Sequence, residues 1–197
     1  MHETAIMQDG AAQLAEQARR RMVDGQLRPN RVSDPKLLAA MLDVPRERFL
    51  PPGLGARAYA DEDVRLPGGR AMNEPMVHAR LLQTRSLRDG DRLLVVGSGT
   101  GYAAAVAAAC GARVVALEED AALVAIARMA LGAAAVPGSV RLVEAPLAAG
   151  HPEGAPYDAI LIEGEVPEVP AAIAAQLAEG GRLVTVLAAA SPGLSPR

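Results

Sequence analysis

Three closely spaced glycines and a following acid are the residues of this sequence best suited to chemistry. The glycines are Gly97, Gly99 and Gly101, and they come directly after the apolar run Arg92–Val96. An alanine-rich stretch with helical character follows, and Glu118 closes a second apolar run. Glycines let a backbone approach a ligand closely, and an acid at the end of the second strand accepts hydrogen bonds from ribose hydroxyls. The order of strand, glycine loop, helix, strand and acid predicts a nucleotide-binding βαβ unit.

The glycine spacing narrows the choice of ligand. A dinucleotide-binding loop has a third glycine at the position that Tyr102 occupies here. The G-x-G-x-G spacing is instead characteristic of doubly wound methyltransferases that use S-adenosyl-L-methionine, which has no pyrophosphate to bind. The alternative is that the glycines only form a tight turn between strand and helix. The residues that we predict to bind this cofactor in the loop and at the second strand are Gly97, Ser98, Gly99, Thr100, Gly101, Tyr102, Glu118 and Glu119.

The rest of the chain supplies the elements that would position these residues. Apolar runs at 140–143, 157–162 and 182–187 alternate with helical patterns at 121–131 and 170–177. Such alternation predicts an α/β fold with a doubly wound, mostly parallel, Rossmann-like methyltransferase sheet. Residues 1–70 are predicted to be helices and loops, with a helix starting at Asp34 and Pro35. We therefore expect one domain, with a helical N-terminal, substrate-side region (1–70), a cofactor-binding core (71–187) and a poorly ordered tail (188–197).

Composition argues against several classes of function. The net charge of −3 gives no electrostatic reason to bind nucleic acid or an anionic membrane surface. Cys110 is the single cysteine, so no internal disulfide forms, and the three histidines have no metal-ligand spacing, so no metal site is predicted. No secretory leader and no apolar run of membrane-spanning length is visible. These features favour a cytoplasmic protein.

Several segments resemble the protein-L-isoaspartate O-methyltransferase family. They are 22–27 (MVDGQL), 44–51 (VPRERFLP), 58–61 (AYAD), 156–161 (PYDAIL) and 167–170 (PEVP), together with the glycine loop and Tyr102. The resemblance covers about 22–187. It implies methyl transfer from S-adenosyl-L-methionine to the α-carboxylate of an isoaspartyl residue in a damaged protein or peptide. A carboxylate, with a pKa of about 4, is already ionised at neutral pH, so the reaction needs no general base.

The segment that would hold the acceptor is the stretch 69–75 (GRAMNEP), which matches the family pattern G-Q-T-I-S-x-P. The resemblance implies that Met72, Asn73, Glu74 and Pro75 bind the substrate, with Asn73 in the place of the serine and in the catalytic role. Glu74 permits two interpretations. It either faces the acceptor, so that Glu74→Gln raises a weak activity on isoaspartyl peptides, or it is a favourable residue at the start of the next helix.

Other departures from the family keep two functions open. Val95 stands where the family usually has an acid. The segment 145–147 (APL) stands where the family often has G-D-G, and this correspondence adds Ala145 to the residues predicted to bind the cofactor. The sequence given ends before an expected closing hairpin, so 182–187 are expected at a sheet edge, in a monomer or an edge-strand dimer. One function is a carboxyl methyltransferase acting on isoaspartyl proteins or another carboxylate. The alternative is a divergent relative without repair activity that binds an adenosyl ligand or a protein partner.

Overall fold

The computed structural model describes residues 2–85, 87–134 and 139–189. Its helices are α1 (His2–Met22), α2 (Pro35–Asp43), α3 (Pro75–Arg85), α4 (Tyr102–Ala109), α5 (Ala121–Ala133) and α6 (Ala171–Ala174). Its strands are β1 (Val64–Arg65), β2 (Ala71–Met72), β3 (Arg92–Val96), β4 (Arg113–Glu118), β5 (Val140–Glu144), β6 (Tyr157–Val166) and β7 (Leu177–Leu187). Residues 190–197 of the predicted tail lie outside the described residues.

Five strands form one parallel sheet in the order β5-β4-β3-β6-β7. Successive residues of β3 point to opposite faces: Leu93 and Val95 belong to one buried apolar cluster, and Leu94 and Val96 to the other. Apolar burial on both faces explains why β3 reads as a continuous apolar run rather than an alternating one. The predicted α/β, doubly wound, Rossmann-like class is confirmed, with a central sheet that is parallel throughout.

The strand order reverses at β3. The chain runs outward from β3 through β4 to β5 and then crosses back to place β6 on the other side of β3. In open parallel sheets, ligands bind at the carboxyl ends of the strands where the order reverses. The glycine loop follows β3 directly, so the topology sets it at this crevice.

The N-terminal region carries a small hairpin in addition to the predicted helices and loops. Asp34 caps α2 as expected, since its Oδ1 accepts from the backbone N–H of Lys36 at 2.9 Å and of Leu37 at 3.2 Å. Strands β1 and β2 pair antiparallel, with Val64 opposite Met72. Each strand has two residues, so it is too short to be recognised in the sequence by an alternation of apolar and polar residues. The hairpin spans the predicted boundary at residue 70 and carries the acceptor segment toward the sheet.

The sequence prediction for 170–177 was wrong in its length. Helix α6 ends at Ala174, and Leu177 already belongs to β7, where it pairs with Tyr157. A shift in register separates this pair from the next one, Ala159 with Arg182. Strand pairing of the last residues outweighs the helical propensity of the alanines, a common outcome of tertiary context. Strand β6 also runs four residues beyond its predicted end at Ile162.

Candidate active site

A cleft of about 710 Å³ opens at the carboxyl ends of β3 and β6. Val96, Gly97, Ile162 and Glu163 form its sheet-side wall. A second wall comes from the hairpin region and the start of α3, and includes Asp63, Arg70, Asn73 and Val77. Its size lies within the range of about 300–1,000 Å³ typical of small-ligand sites. The residues after β3 and the segment predicted to hold the acceptor therefore line one space.

The glycine loop needs glycine for its backbone conformation. Gly97, Gly99 and Gly101 have φ angles of 69°, 55° and 90°, values in the left-handed region that other residues rarely adopt. A Cβ atom built on Gly97 would lie 2.9 Å from an Nη of Arg70. The loop thus brings bare backbone to the wall of the cleft, as an adenosyl ligand requires.

Glu118 lies at the end of β4 and is fully buried. One of its carboxylate oxygens accepts from the Gly99 N–H at 2.7 Å, and the other from the N–H groups of Glu119 at 2.9 Å and Asp120 at 3.1 Å. The second oxygen also lies 3.2 Å from Nη1 of Arg70. The predicted ribose acceptor is therefore held in place by the glycine loop and covered on the cleft side by Arg70.

The other residues predicted to bind the cofactor lie at different depths. Glu119 lines the cleft beside Gly97. Ser98, Thr100 and Tyr102 are buried, and the Tyr102 ring packs edge-on against Phe49 and His78, with centroid distances of 5.6 and 5.4 Å. Ala145 is half-buried, and its N–H donates to the Glu118 carbonyl oxygen at 3.1 Å. The structure thus brings Gly97 and Glu119 to the cleft surface and sets the others behind it.

The residues predicted to bind the substrate also differ in whether they line the cleft. Asn73 lines the cleft, whereas Met72 and Pro75 are buried beneath it. Glu74 is half-buried and does not belong to the lining. Its N–H donates to Oδ1 of Asp63 at 2.8 Å, just before α3 begins at Pro75. This placement favours the helix-start interpretation of Glu74.

Glu74→Gln should stabilise the fold without changing methyl transfer. Burial, with Asp61 and Asp63 nearby, raises the pKa of the Glu74 carboxyl. A carboxyl whose pKa is higher in the folded state contributes stability that is lost as pH rises through that value, so ionised Glu74 destabilises the fold at neutral pH. Thermal unfolding should show a higher Tm for Glu74→Gln at pH 7 and no difference below about pH 4. Glu153→Gln, an exposed site, is the control. A faster transfer in Glu74→Gln would instead place this carboxylate toward the acceptor.

A buried arginine that is not among the residues predicted from the sequence contacts the acceptor segment. Arg46 is fully buried, and its Nε donates to the Ala58 carbonyl at 2.7 Å. Its Nη2 donates to the carbonyl of Asn73, and its guanidinium lies 4.7 Å from the centroid of the Tyr102 ring. Arg46 belongs to the segment 44–51 that carried the family resemblance. The contacts of Arg46 connect this segment to the site, although no residue of the segment lines the cleft.

His78 connects the same cluster to the sheet. Its Nδ1 lies 3.1 Å from the Asn73 carbonyl oxygen and 3.3 Å from Nη1 of Arg46, and its Nε2 lies 3.2 Å from Oε1 of Glu163. Glu163 follows the predicted end of β6 and lines the cleft. The backbone of Asn73 is therefore fixed relative to both walls. The sequence offered no signal for this cluster because its members are far apart in the chain.

The cleft is acidic. Asp63, Glu119, Glu163 and Glu165 line it, and of the lining side chains in the described ranges that of Arg70 alone is cationic. Negative charge suits a sulfonium ligand but opposes an anionic acceptor, except close to Arg70. No group of three or more potential metal ligands occurs in the described part of the chain. None of the helices at 2–85, 87–134 or 139–189 combines the length and apolar character that a membrane crossing needs.

Comparison with known proteins places these features in a family. Residues 17–191 match the model of the family described as protein-L-isoaspartate(D-aspartate) O-methyltransferase. The protein-L-isoaspartate O-methyltransferase of Methylorubrum populi is 44% identical over 171 residues, which cover 87% of this chain and 80% of the relative. The enzyme of the same name from Methylorubrum extorquens is 43% identical, and the match covers 73% of its length.

Solved structures agree with the sequence comparison. A structure described as a protein-L-isoaspartate O-methyltransferase superposes with a TM-score of 0.75 at 30% identity, over 86% of this chain. The chain spans 55% of that solved chain. A precorrin-6y C5,15-methyltransferase from Geobacter metallireducens has a TM-score of 0.53 at 24% identity, covering 58% of this chain and 63% of its own, and shares the fold alone.

Proposed function

The chain belongs to the protein-L-isoaspartate(D-aspartate) O-methyltransferase family of S-adenosyl-L-methionine-dependent enzymes, and we propose that it methylates the α-carboxylate of L-isoaspartyl residues in proteins or peptides. One observation carries this proposal. The family's glycine loop, at Gly97, and its acceptor segment, at Asn73, line the same cleft. The alternative, a relative that only binds ligands or partners, has no observation of its own in its favour.

S-adenosyl-L-methionine, when bound, supplies an electrophilic methyl group on a sulfonium sulfur. The residues suited to hold it are Gly97 and Glu119 on the cleft surface, with Gly99 and Glu118 behind them. The positive φ of Gly97 and the crowding around its missing Cβ match a backbone that must lie against a ligand. The acidic lining favours the cationic form of this cofactor over its neutral thioether product, which assists product release.

The task of the chain's own residues is positioning. An ionised carboxylate attacks the methyl carbon without prior loss of a proton, so the site needs alignment and exclusion of water rather than a general base. In this proposal the side-chain amide of Asn73 donates a hydrogen bond to the acceptor carboxylate. Arg46 and His78 contact the carbonyl of the same residue and so fix where that amide lies. This hydrogen bond goes to the oxygen of the acceptor carboxylate that does not attack the methyl carbon.

Asn73→Ala should lower methyl transfer more than it lowers cofactor affinity. Loss of one hydrogen bond to a charged group predicts a fall of about 10- to 100-fold in kcat/KM for an isoaspartyl peptide. The dissociation constant of S-adenosyl-L-homocysteine, measured by calorimetry, should change little. Asn73→Ser restores a donor of the kind found in the family and is expected to retain most of the activity. Equal losses of transfer and cofactor affinity in Asn73→Ala, or no loss of either, would remove Asn73 from the acceptor site.

A further inference from the structure

Arg70 occupies the point where the glycine loop, Glu118 and the acceptor segment meet. Its two Nη atoms lie 3.2 Å from the Glu118 carboxylate and 3.2 Å from the Gly97 carbonyl oxygen. We propose that Arg70 binds a ligand carboxylate in the cleft, and that it leaves Glu118 to do so when the ligand enters. This inference rests on the proposed function, because the carboxylate belongs either to the methionine part of the cofactor or to the acceptor.

The bonding state of Glu118 requires Arg70 to move. One oxygen of Glu118 already accepts from two backbone N–H groups as well as from Arg70, and the other accepts from Gly99. A carboxylate has about four acceptor sites, and these four donors occupy them, so the departure of Arg70 frees one site for one ribose hydroxyl. The Arg70 side chain is 29% exposed, whereas that of Glu118 is 0% exposed. A ribose can therefore reach Glu118 only after the guanidinium that covers it has been displaced.

The charge of the cleft decides where the displaced guanidinium goes. Four acids line the space, and Arg70 supplies the one positive charge of the lining within the described ranges. Among the lining side chains of these ranges, Arg70 alone offers an entering carboxylate a charge of opposite sign. A guanidinium also binds a carboxylate through two parallel hydrogen bonds, a geometry that a single contact to Glu118 at 3.2 Å does not achieve. Exchange of Glu118 for a ligand carboxylate thus improves the pairing of Arg70 and frees Glu118.

Two carboxylates of the proposed reaction fit this description, and binding experiments separate them. S-adenosyl-L-homocysteine carries the cofactor carboxylate, whereas 5′-methylthioadenosine has the same adenosine and thioether without it. Calorimetry with both ligands should be run on the wild type, Arg70→Gln and Arg70→Lys. Glutamine is the residue of the family pattern at this position, and lysine keeps the charge without the fork geometry. Arg65→Gln is the matched control, since Arg65 is an exposed arginine on strand β1 of the same hairpin.

If Arg70 binds the cofactor carboxylate, Arg70→Gln weakens S-adenosyl-L-homocysteine binding by about 10- to 100-fold. Binding of 5′-methylthioadenosine then stays the same or becomes tighter, because Glu118 is no longer covered. If Arg70 binds the acceptor, both affinities persist and the KM for an isoaspartyl peptide rises by a similar factor. In either case the affected quantity, affinity or KM, has a value for Arg70→Lys between those of wild type and Arg70→Gln. Arg65→Gln has the wild-type value.

Equal weakening of both ligands by Arg70→Gln would overturn the inference, because Arg70 would then only support the glycine loop. Unchanged affinities with an unchanged KM would overturn it as well. The proposed function fails separately: a wild-type protein that binds S-adenosyl-L-homocysteine but transfers no methyl group to the peptide contradicts that function alone. In that event calorimetry with the two adenosyl ligands tests the cofactor carboxylate, and calorimetric titration of the isoaspartyl peptide into wild type and Arg70→Gln, each saturated with S-adenosyl-L-homocysteine, tests the acceptor carboxylate. Unchanged affinities for all three ligands in Arg70→Gln overturn the inference.

Discussion

Gly99→Val is expected to abolish binding of S-adenosyl-L-homocysteine in a protein that still folds. Gly99 has a φ of 55°, and its N–H donates to Glu118 at 2.7 Å. A β-branched residue in the left-handed region costs about 1–3 kcal/mol of strain, so the loop is expected to change its path. That change would separate the Gly99 N–H from Glu118 and move the backbone away from the cleft wall. Calorimetry measures the affinity, and circular dichroism with thermal unfolding reports on the fold.

Gly132→Val is the matched control for this substitution. Gly132 is exposed near the end of α5 and has no positive φ, and a Cβ added to it would have no atom within 4 Å. The valine should leave stability unchanged or raise it slightly, because valine has a higher helix propensity than glycine, and it should leave ligand affinity intact. A folded Gly99→Val protein with wild-type affinity would contradict the placement of the loop against the cofactor.

Arg46→Met should lower the free energy of unfolding by about 3 kcal/mol. The substitution roughly keeps the length of the side chain but removes the donors to the carbonyls of Ala58 and Asn73. Each buried carbonyl left without a donor costs about 1–3 kcal/mol, partly offset because a charge need no longer be buried. Urea unfolding measures the change. Methyl transfer should fall as well, since Asn73 loses a contact that fixes its backbone.

Arg48→Met is the control within the same segment. Arg48 is exposed, and its one side-chain hydrogen bond in the described residues runs to the Ala133 carbonyl at 3.3 Å. Its replacement should change the free energy of unfolding by no more than about 0.5 kcal/mol. Similar losses in Arg46→Met and Arg48→Met would show that the buried hydrogen bonds of Arg46 do not stabilise the fold.

The parts of the fold that follow local rules could be predicted from the sequence. Apolar runs located β3 and β4, because both faces of these central strands are buried. Glycines at 97, 99 and 101 predicted the loop between β3 and α4, where the structure gives all three a positive φ, and Asp34 before a proline predicted the start of α2. In each case the signal lies within a few residues of the structure that it predicts.

The parts that depend on distant residues could not be predicted in this way. Arg46, His78 and Glu163 meet only because the fold brings the N-terminal region onto the carboxyl end of the sheet. Arg70 belongs to the acceptor segment, yet nothing local shows that it covers Glu118 from 48 positions away. The available signal was the positive charge of Arg70, because a cation in a segment that receives a carboxylate is a candidate for binding that carboxylate. Tyr102 was predicted to begin a helix and to bind the cofactor, and nothing local indicates that its ring packs against Phe49 and His78.

The most direct test of the proposed activity is to identify the methylated product. The wild-type protein should be incubated with S-adenosyl-L-methionine carrying a labelled methyl group and two synthetic peptides that differ only in one isoaspartyl or aspartyl residue. We predict a labelled, base-labile methyl ester on the α-carboxyl of the isoaspartyl peptide, located by mass spectrometry, and little label on the aspartyl peptide. Equal labelling of both peptides, or no labelling by a protein that binds S-adenosyl-L-homocysteine, would contradict the proposed activity.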